Sequence, residues 1–132
     1  MKTATEGMAL DTSVLVQAFR NDISVKDRIK GLDRVFVPVP VIGELMIGFC
    51  RTQYASPLRE KFEGFVARAT IISCDRDVAD KYGGISADLR ARGSMIPVND
   101  VWIAACCIVH GRTLATRDSH FMNVPGLSTE MW

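Results

Sequence analysis

Asp11, Glu44, Asp100 and Asp118 are the residues through which this chain could do chemistry. Each stands where an apolar run meets a helix start or a turn, or inside an otherwise apolar helix. The strings are M-A-L-D-T-S-V-L-V, V-I-G-E-L-M-I-G-F, P-V-N-D-V-W-I-A-A and L-A-T-R-D-S-H-F. A carboxylate is rarely buried unless a metal ion or a cationic partner compensates its desolvation. Four of them in a small α/β chain suggest one pocket for hard divalent cations, because Mg2+ and Mn2+ prefer oxygen ligands. Close carboxylates raise one another's pKa, and a bound cation reverses that.

Each of these residues also has a plainer explanation. Asp11 can be a helix N-cap, as can the hydroxyl of Ser13. Asp100 can be a first-turn acid favoured by the helix dipole. Glu44 can pair with Arg51, and Asp118 can be a turn residue. Thr116 reads equally as strand residue or site hydroxyl, and Arg117 as solvated surface or phosphate contact. His110 suits the carboxyl-terminal dipole of its helix, His120 a turn, and Trp102 the packing of a buried helix.

The elements that must position these side chains alternate between strand-like and helix-like segments. Met8–Leu10 is a short apolar run, and Asp11-Thr12-Ser13 can cap the helix that Val14 to Phe19 begins. Val35-Phe36-Val37 is β-branched and aromatic and ends at Pro38, while Pro40 suits a helix's first turn. In that helix Val41, Ile42, Leu45, Met46 and Phe49 share one face, leaving Glu44, Gly48 and Arg51 on the other. A second amphipathic helix starts at Ser56-Pro57, with Leu58, Phe62, Phe65, Val66 and Ala69 on its stripe. Ile71-Ile72 is a strand, and Asp75 caps a helix with stripe Val78, Tyr82, Ile85 and Leu89 that Gly93 stops. Asn99 is expected to cap the helix Asp100 to Val109, which is apolar nearly all round and ends near Gly111. Thr113 to Thr116 is another strand, followed by a turn and an extended piece near Leu127. This alternation predicts an α/β sandwich with a mainly parallel sheet. Sites in such sheets form beyond the carboxyl ends of the strands, where Asp11 and Asp118 fall. Convergence with Asp100 requires neighbouring strands, which the sequence alone does not fix.

The chain's 132 residues suit a single domain, 1–132, with an ordinary 48% hydrophobic and 23% charged composition. No run approaches the roughly 18 apolar residues of a membrane helix. The start, M-K-T-A-T-E-G, lacks a secretory apolar segment, so a cytoplasmic location is expected. Cys50, Cys74, Cys106 and Cys107 show no metal-binding spacing and are expected to be reduced structural thiols. A net charge of +1 gives no global field for nucleic acid, leaving local arginines such as Arg51, Arg90, Arg92 and Arg117.

Taken in order, L-D-T-S-V-L, P-V-I-G-E-L, N-D-V-W-I-A-A and T-R-D-S-H-F with V-P-G-L behind it resemble the PIN-domain ribonucleases. The toxin subunits of VapBC toxin–antitoxin pairs are the most similar group. The resemblance runs from Met8 to about Leu127. It implies a PIN-like three-layer sandwich, with a central mainly parallel sheet flanked by helices, usually as a homodimer. It makes Asp11, Glu44, Asp100 and Asp118 an acidic site for Mg2+, with Mn2+ as a substitute, and Thr116 its supporting hydroxyl. It also implies cleavage of RNA, such as tRNA or rRNA, and inhibition by a cognate VapB-type antitoxin. Residues 1–7 read as a short amino-terminal extension, with Met8 a possible start. Some relatives carry a further acid after the last motif, where this chain has His120, Met122 and Asn123.

The chemistry so implied is hydrolysis of a phosphodiester by a metal-activated water, leaving 5′-phosphate and 3′-hydroxyl ends. Asp11 and Asp100 would be central ligands, and Asp118 and Glu44 direct or water-mediated ones. Attack through the 2′-hydroxyl would instead need an acid–base pair, commonly histidines. A haloacid-dehalogenase-type phosphatase would want an aspartate where Ser13 stands. A phospho-receiver would want an acidic neighbour of Asp11 and a late lysine, but Lys81 is the last. The rival from another class is a non-catalytic PIN-fold module that binds RNA or protein.

Overall fold

The fold is described from a computed structural model covering residues 7–51 and 56–132. Its centre is one five-stranded sheet: β1 (Met8–Leu10), β2 (Val35–Pro38), β3 (Thr70–Ile72), β4 (Leu114–Thr116) and β5 (Thr129–Met131). The strand order is β3-β2-β1-β4-β5, and every pairing is parallel, from Ala9 opposite Phe36 to Ala115 opposite Glu130. Among the described residues six helices occupy the crossovers: α1 (Thr12–Phe19), α2 (Ile23–Lys30), α3 (Val39–Arg51), α4 (Ser56–Arg68), α5 (Arg76–Ala91) and α6 (Val98–Val109). The result is the α/β three-layer sandwich expected, with a sheet that is wholly parallel rather than mainly so.

The order reverses at β1. Successive crossovers carry the chain outward from β1 through β2 to β3, and β4 then returns to the opposite side of β1. Loops leaving the carboxyl ends of β1 and β4 therefore part in opposite directions and open a crevice between them. Parallel strands are covered on both faces, so they read as unbroken apolar runs rather than alternating ones. Met8, Ala9, Leu10, Leu114 and Ala115 are fully buried. Helix α6 is closed in nearly all round, with Val101 and Ile103 to Cys107 inaccessible. It packs on α5 and α3, which fixes its first turn relative to the sheet.

Several local expectations are corrected. Helix α2 lies in a stretch the sequence left without an element. Its start is set by the Asp22 carboxylate, which accepts from Val25 N at 3.2 Å. Val25 is its one buried residue, with Ile29 partly buried against the core, so apolar periodicity is faint there. Helix α6 begins at Val98, with Pro97 at the cap position, so Asn99 lies inside the helix and is not its cap. Leu58 is exposed although it belongs to the α4 stripe, and Cys50 is exposed although its helix pattern is apolar. Asp75 caps α5 as expected, accepting from Val78 N at 3.0 Å. The extended piece near Leu127 is β5, two residues later. Of the extension expected at residues 1–7, residues 1–6 lie outside the described residues.

Candidate metal centre

Asp11 follows the last residue of β1, and its backbone N–H donates to Ala115 O at 3.0 Å. It stands at the cap position of α1, yet its side chain does not cap the helix. Instead Oδ2 accepts from the hydroxyls of Ser13 and Thr116, each at 2.8 Å. Thr116 Oγ1 in turn accepts from the N–H of Asp118 at 3.0 Å, and Ser13 Oγ from the N–H of Arg117 at 3.0 Å. Two hydroxyls thus splice the ends of β1 and β4 and aim a 4% exposed carboxylate into the crevice. Among the described residues the other oxygen, Oδ1, takes no hydrogen bond.

Asp100 enters from the first turn of α6, and Asp118 from the turn after β4. His120 lies between them. Its Nδ1 is 3.0 Å from Asp118 Oδ1 and 3.4 Å from Asp100 Oδ2. One donor atom from each of these three residues falls within 4.8 Å of the other two. Burial, then the charges of Asp118, Asp11 and Glu44 in that order, pushes the Asp100 carboxyl up to about 6 from its usual 3.8. The His120 hydrogen bond opposes that rise. Glu44 reaches the same site from α3, where Asn99 Nδ2 donates to Glu44 Oε1 and approaches Pro40 O at 3.4 Å. The charges of Asp118, Asp11 and Glu44 therefore all act on Asp100 at the carboxyl edge of the sheet. Among the described residues the donor atoms within 4.8 Å of one another belong to Asp100, Asp118 and His120, with Asp11 and Glu44 outside that group.

No lysine or arginine among the described residues forms an ion pair with any of the four. Glu44 is not paired with Arg51. Arg117 turns its guanidinium to Asp22 at 3.3 Å, and Arg92 pairs with Asp88 at 2.9 Å. Two carboxylates and an imidazole within 4.8 Å of one another, under the charges of Asp11 and Glu44 and with no lysine or arginine ion-paired to any of the four acids among the described residues, fit a divalent metal. Asp118 keeps its turn role as well, since Oδ1 accepts from His120 N at 2.9 Å.

Sequence reasoning left three contributors out of the site: Ser13, Asn99 and His120. Ser13 and Asn99 had capping explanations, and His120 a turn explanation, each sufficient locally. Their better signal was spacing, two residues after Asp11, one before Asp100 and two after Asp118. Trp102 is packing as expected, stacked on Tyr82 with centroids 4.0 Å apart. His110 is exposed at the carboxyl end of α6. Beside Glu44 a groove of about 270 Å³ runs past Thr12, Val16, Phe19 and Arg20.

A family model for the PIN domain matches residues 8–127. Over 119 residues the chain is 29% identical to a ribonuclease VapC4 of Mycobacterium tuberculosis, covering 87% of this chain and 88% of that one. It is 28% identical over 126 residues to a tRNA(fMet)-specific endonuclease VapC of Shigella flexneri, covering 93% and 96%. Its fold matches a crystal structure of VapBC2 from Rickettsia felis bound to a promoter DNA fragment. The TM-score is 0.89 at 25% identity, covering 96% of this chain and 98% of that one.

Proposed function

From the premise that the chain belongs to the PIN-domain family, we propose that it is a metal-dependent endoribonuclease, the toxin of a toxin–antitoxin pair. The observation that carries this reading is the grouping of Asp100 and Asp118 with His120 under the charges of Asp11 and Glu44, with no lysine or arginine ion-paired to any of the four acids among the described residues. Such a cluster opposes folding unless a bound cation compensates its charge. The names of the ribonuclease and tRNA endonuclease relatives support nuclease chemistry.

When bound, a divalent cation supplies an activated water and neutralises charge on the scissile phosphate. Asp11, Asp100 and Asp118 are the residues that would hold it, with Glu44 completing the set directly or through water. Thr116 and Ser13 fix one Asp11 oxygen and leave the other free to ligate. Asn99 holds the Glu44 carboxylate from the facing helix. Mg2+ is the proposed ion, with Mn2+ as a substitute. Arg117, tied to Asp22 at the surface, would have to leave that pair to touch phosphate.

RNA is the proposed substrate class, with structured RNA such as tRNA or rRNA favoured by the name of the Shigella relative. A cognate VapB-type antitoxin is the proposed partner, supported by the VapBC assembly that the fold matches. A homodimer and a cytoplasmic location belong to the same proposal, as does a single domain spanning 1–132. Among the described residues no helix is long and apolar enough to cross a membrane.

The test is cleavage of an end-labelled RNA pool with Mg2+ or Mn2+, comparing wild type, Asp100→Asn and an EDTA control. Metal-dependent cutting that leaves 5′-phosphate ends and disappears in the variant is expected. A 2′,3′-cyclic phosphate product would sink the mechanism. Absence of both cutting and metal binding would transfer the assignment to the non-catalytic binding module.

A further inference from the structure

We propose that His120 is a nitrogen ligand of the cation at this site, which raises the affinity of the site for Mn2+ relative to Mg2+. The inference rests on the metal-site reading above and assigns a residue that the acidic pattern omits.

The geometry carries it. His120 Nδ1 sits 3.0 Å from Asp118 Oδ1 and 3.4 Å from Asp100 Oδ2. Neighbouring donors around an octahedral ion, each at about 2.1 Å from it, are about 3.0 Å apart. The nitrogen and the Asp118 oxygen therefore already stand at the separation of adjacent ligands, and the Asp100 oxygen, at 3.4 Å, lies beyond it. Two independently packed elements hold them there. Asp100 is fixed on the first turn of the buried helix α6. His120 belongs to a 3-10 turn, Ser119–Asn123, anchored by the inaccessible ring of Phe121. The start of that turn is capped by Asp118 itself, through the 2.9 Å bond from His120 N. One residue thus offers its backbone to a ligand and its side chain to the space that the ligand faces.

Mg2+ is a hard ion that keeps water and takes oxygen. Imidazole suits the first-row transition dications, so a mixed nitrogen–oxygen set discriminates against Mg2+. The competing arrangement is an imidazole that only hydrogen-bonds to the two carboxylates and withdraws when a cation enters.

Mn2+ alone, added to the full chain, separates the two. Pulsed electron paramagnetic resonance is expected to show ¹⁴N coupling from a directly bound imidazole in the wild type. Coupling should vanish in His120→Asn, which places an amide near the position of Nδ1. In competition titrations that variant should lose about tenfold or more in Mn2+ affinity and little in Mg2+ affinity. Bound Mn2+ without nitrogen coupling, or an equal loss for both ions, would overturn the His120 assignment while the carboxylate site stands. Wild-type protein that binds neither ion would overturn the site and the ligand together.

Discussion

The two edges of the sheet handle charge in opposite ways. At the amino edge, just before β2 and β4, Arg34 and Arg112 lie over the ring of Phe36, with guanidinium carbons 4.9 and 4.1 Å from its centroid. Two like charges are placed together there, but each meets an aromatic face that attracts cations. The backbone makes room for them. Gly7 has φ +131, and a Cβ there would meet Phe36 Cε2 at 3.0 Å and Arg112 Nη1 at 3.3 Å. At the carboxyl edge the charges of three other acids act on Asp100, and among the described residues the four acids' side chains meet hydroxyls, an amide, an imidazole and a backbone N–H. One edge has been relaxed by its surroundings and the other held in tension. The tense edge is where the switch of strand order opens the crevice, and it is there that function is to be sought.

Removing one anion should break the contrast most sharply. Asp100→Asn is expected to lower metal-dependent RNA cleavage by at least about a hundredfold. The same change should stabilise the metal-free protein at neutral pH. The folded-state pKa of Asp100, about 6, lies above its usual 3.8, so the folded chain holds its proton more tightly than the unfolded one. Stability of the metal-free wild type therefore falls as pH rises through that window and is lowest above it, by roughly 2–3 kcal/mol. Urea unfolding at pH 4 and pH 7.5 checks the sign. Wild type should weaken with pH in EDTA, whereas Asp100→Asn should show little of that loss. A wild type equally stable at both would mean that the carboxyl edge is not under tension.

Next in size is the splice between β1 and β4. Thr116→Val keeps shape but loses the donor to Asp11 Oδ2 and leaves the N–H of Asp118 without its acceptor. Cleavage should fall roughly ten- to a hundredfold, as for groups that orient metal ligands. Stability should fall by about 1–2 kcal/mol. Metal titration alongside the cleavage assay separates disordered ligands from a simple loss of folded protein.

How much of this was legible in the sequence depends on the range of the interaction. The strands, the apolar α6 and the cap at Asp75 are written in neighbouring residues, and they were readable as such. The four acids could be read individually, and the ordered resemblance joined them into one site. Helix α2 was missed because only Val25 among its residues is buried, so the apolar period has one strong beat. Ser13, Asn99 and His120 were missed because each had a sufficient local role. Their partners distant in sequence, Thr116, Glu44 and Asp100, are brought close by the β1–β4 pairing, the packing of α6 on α3 and the contact of the Ser119–Asn123 turn with α6.

The amino edge offers the control. Phe36→Leu removes the face beneath both guanidinium groups and shrinks a buried ring. It should destabilise the protein by about 2 kcal/mol. Cleavage per folded molecule should stay at the wild-type level, measured after correcting for the folded fraction. A tenfold change in the rate itself would show that the two edges are coupled, and the division of labour between them would be lost.

The smallest effect expected is at Asn99, and it decides between a cap and a clamp. As a helix cap, Asn99 would be replaced by aspartate with little consequence, since the two rank together at that position. Inside α6, with its amide donating to Glu44 Oε1, the same replacement removes a donor and brings a fifth carboxylate to the tense edge. Asn99→Leu removes the donor without adding charge. Cleavage should therefore fall several-fold in the leucine variant and further in the aspartate variant, with Glu44 unheld in one and repelled in the other. The order of the two variants matters more than the size of either effect. Aspartate matching wild type while leucine falls would restore the capping role and detach Glu44 from the site.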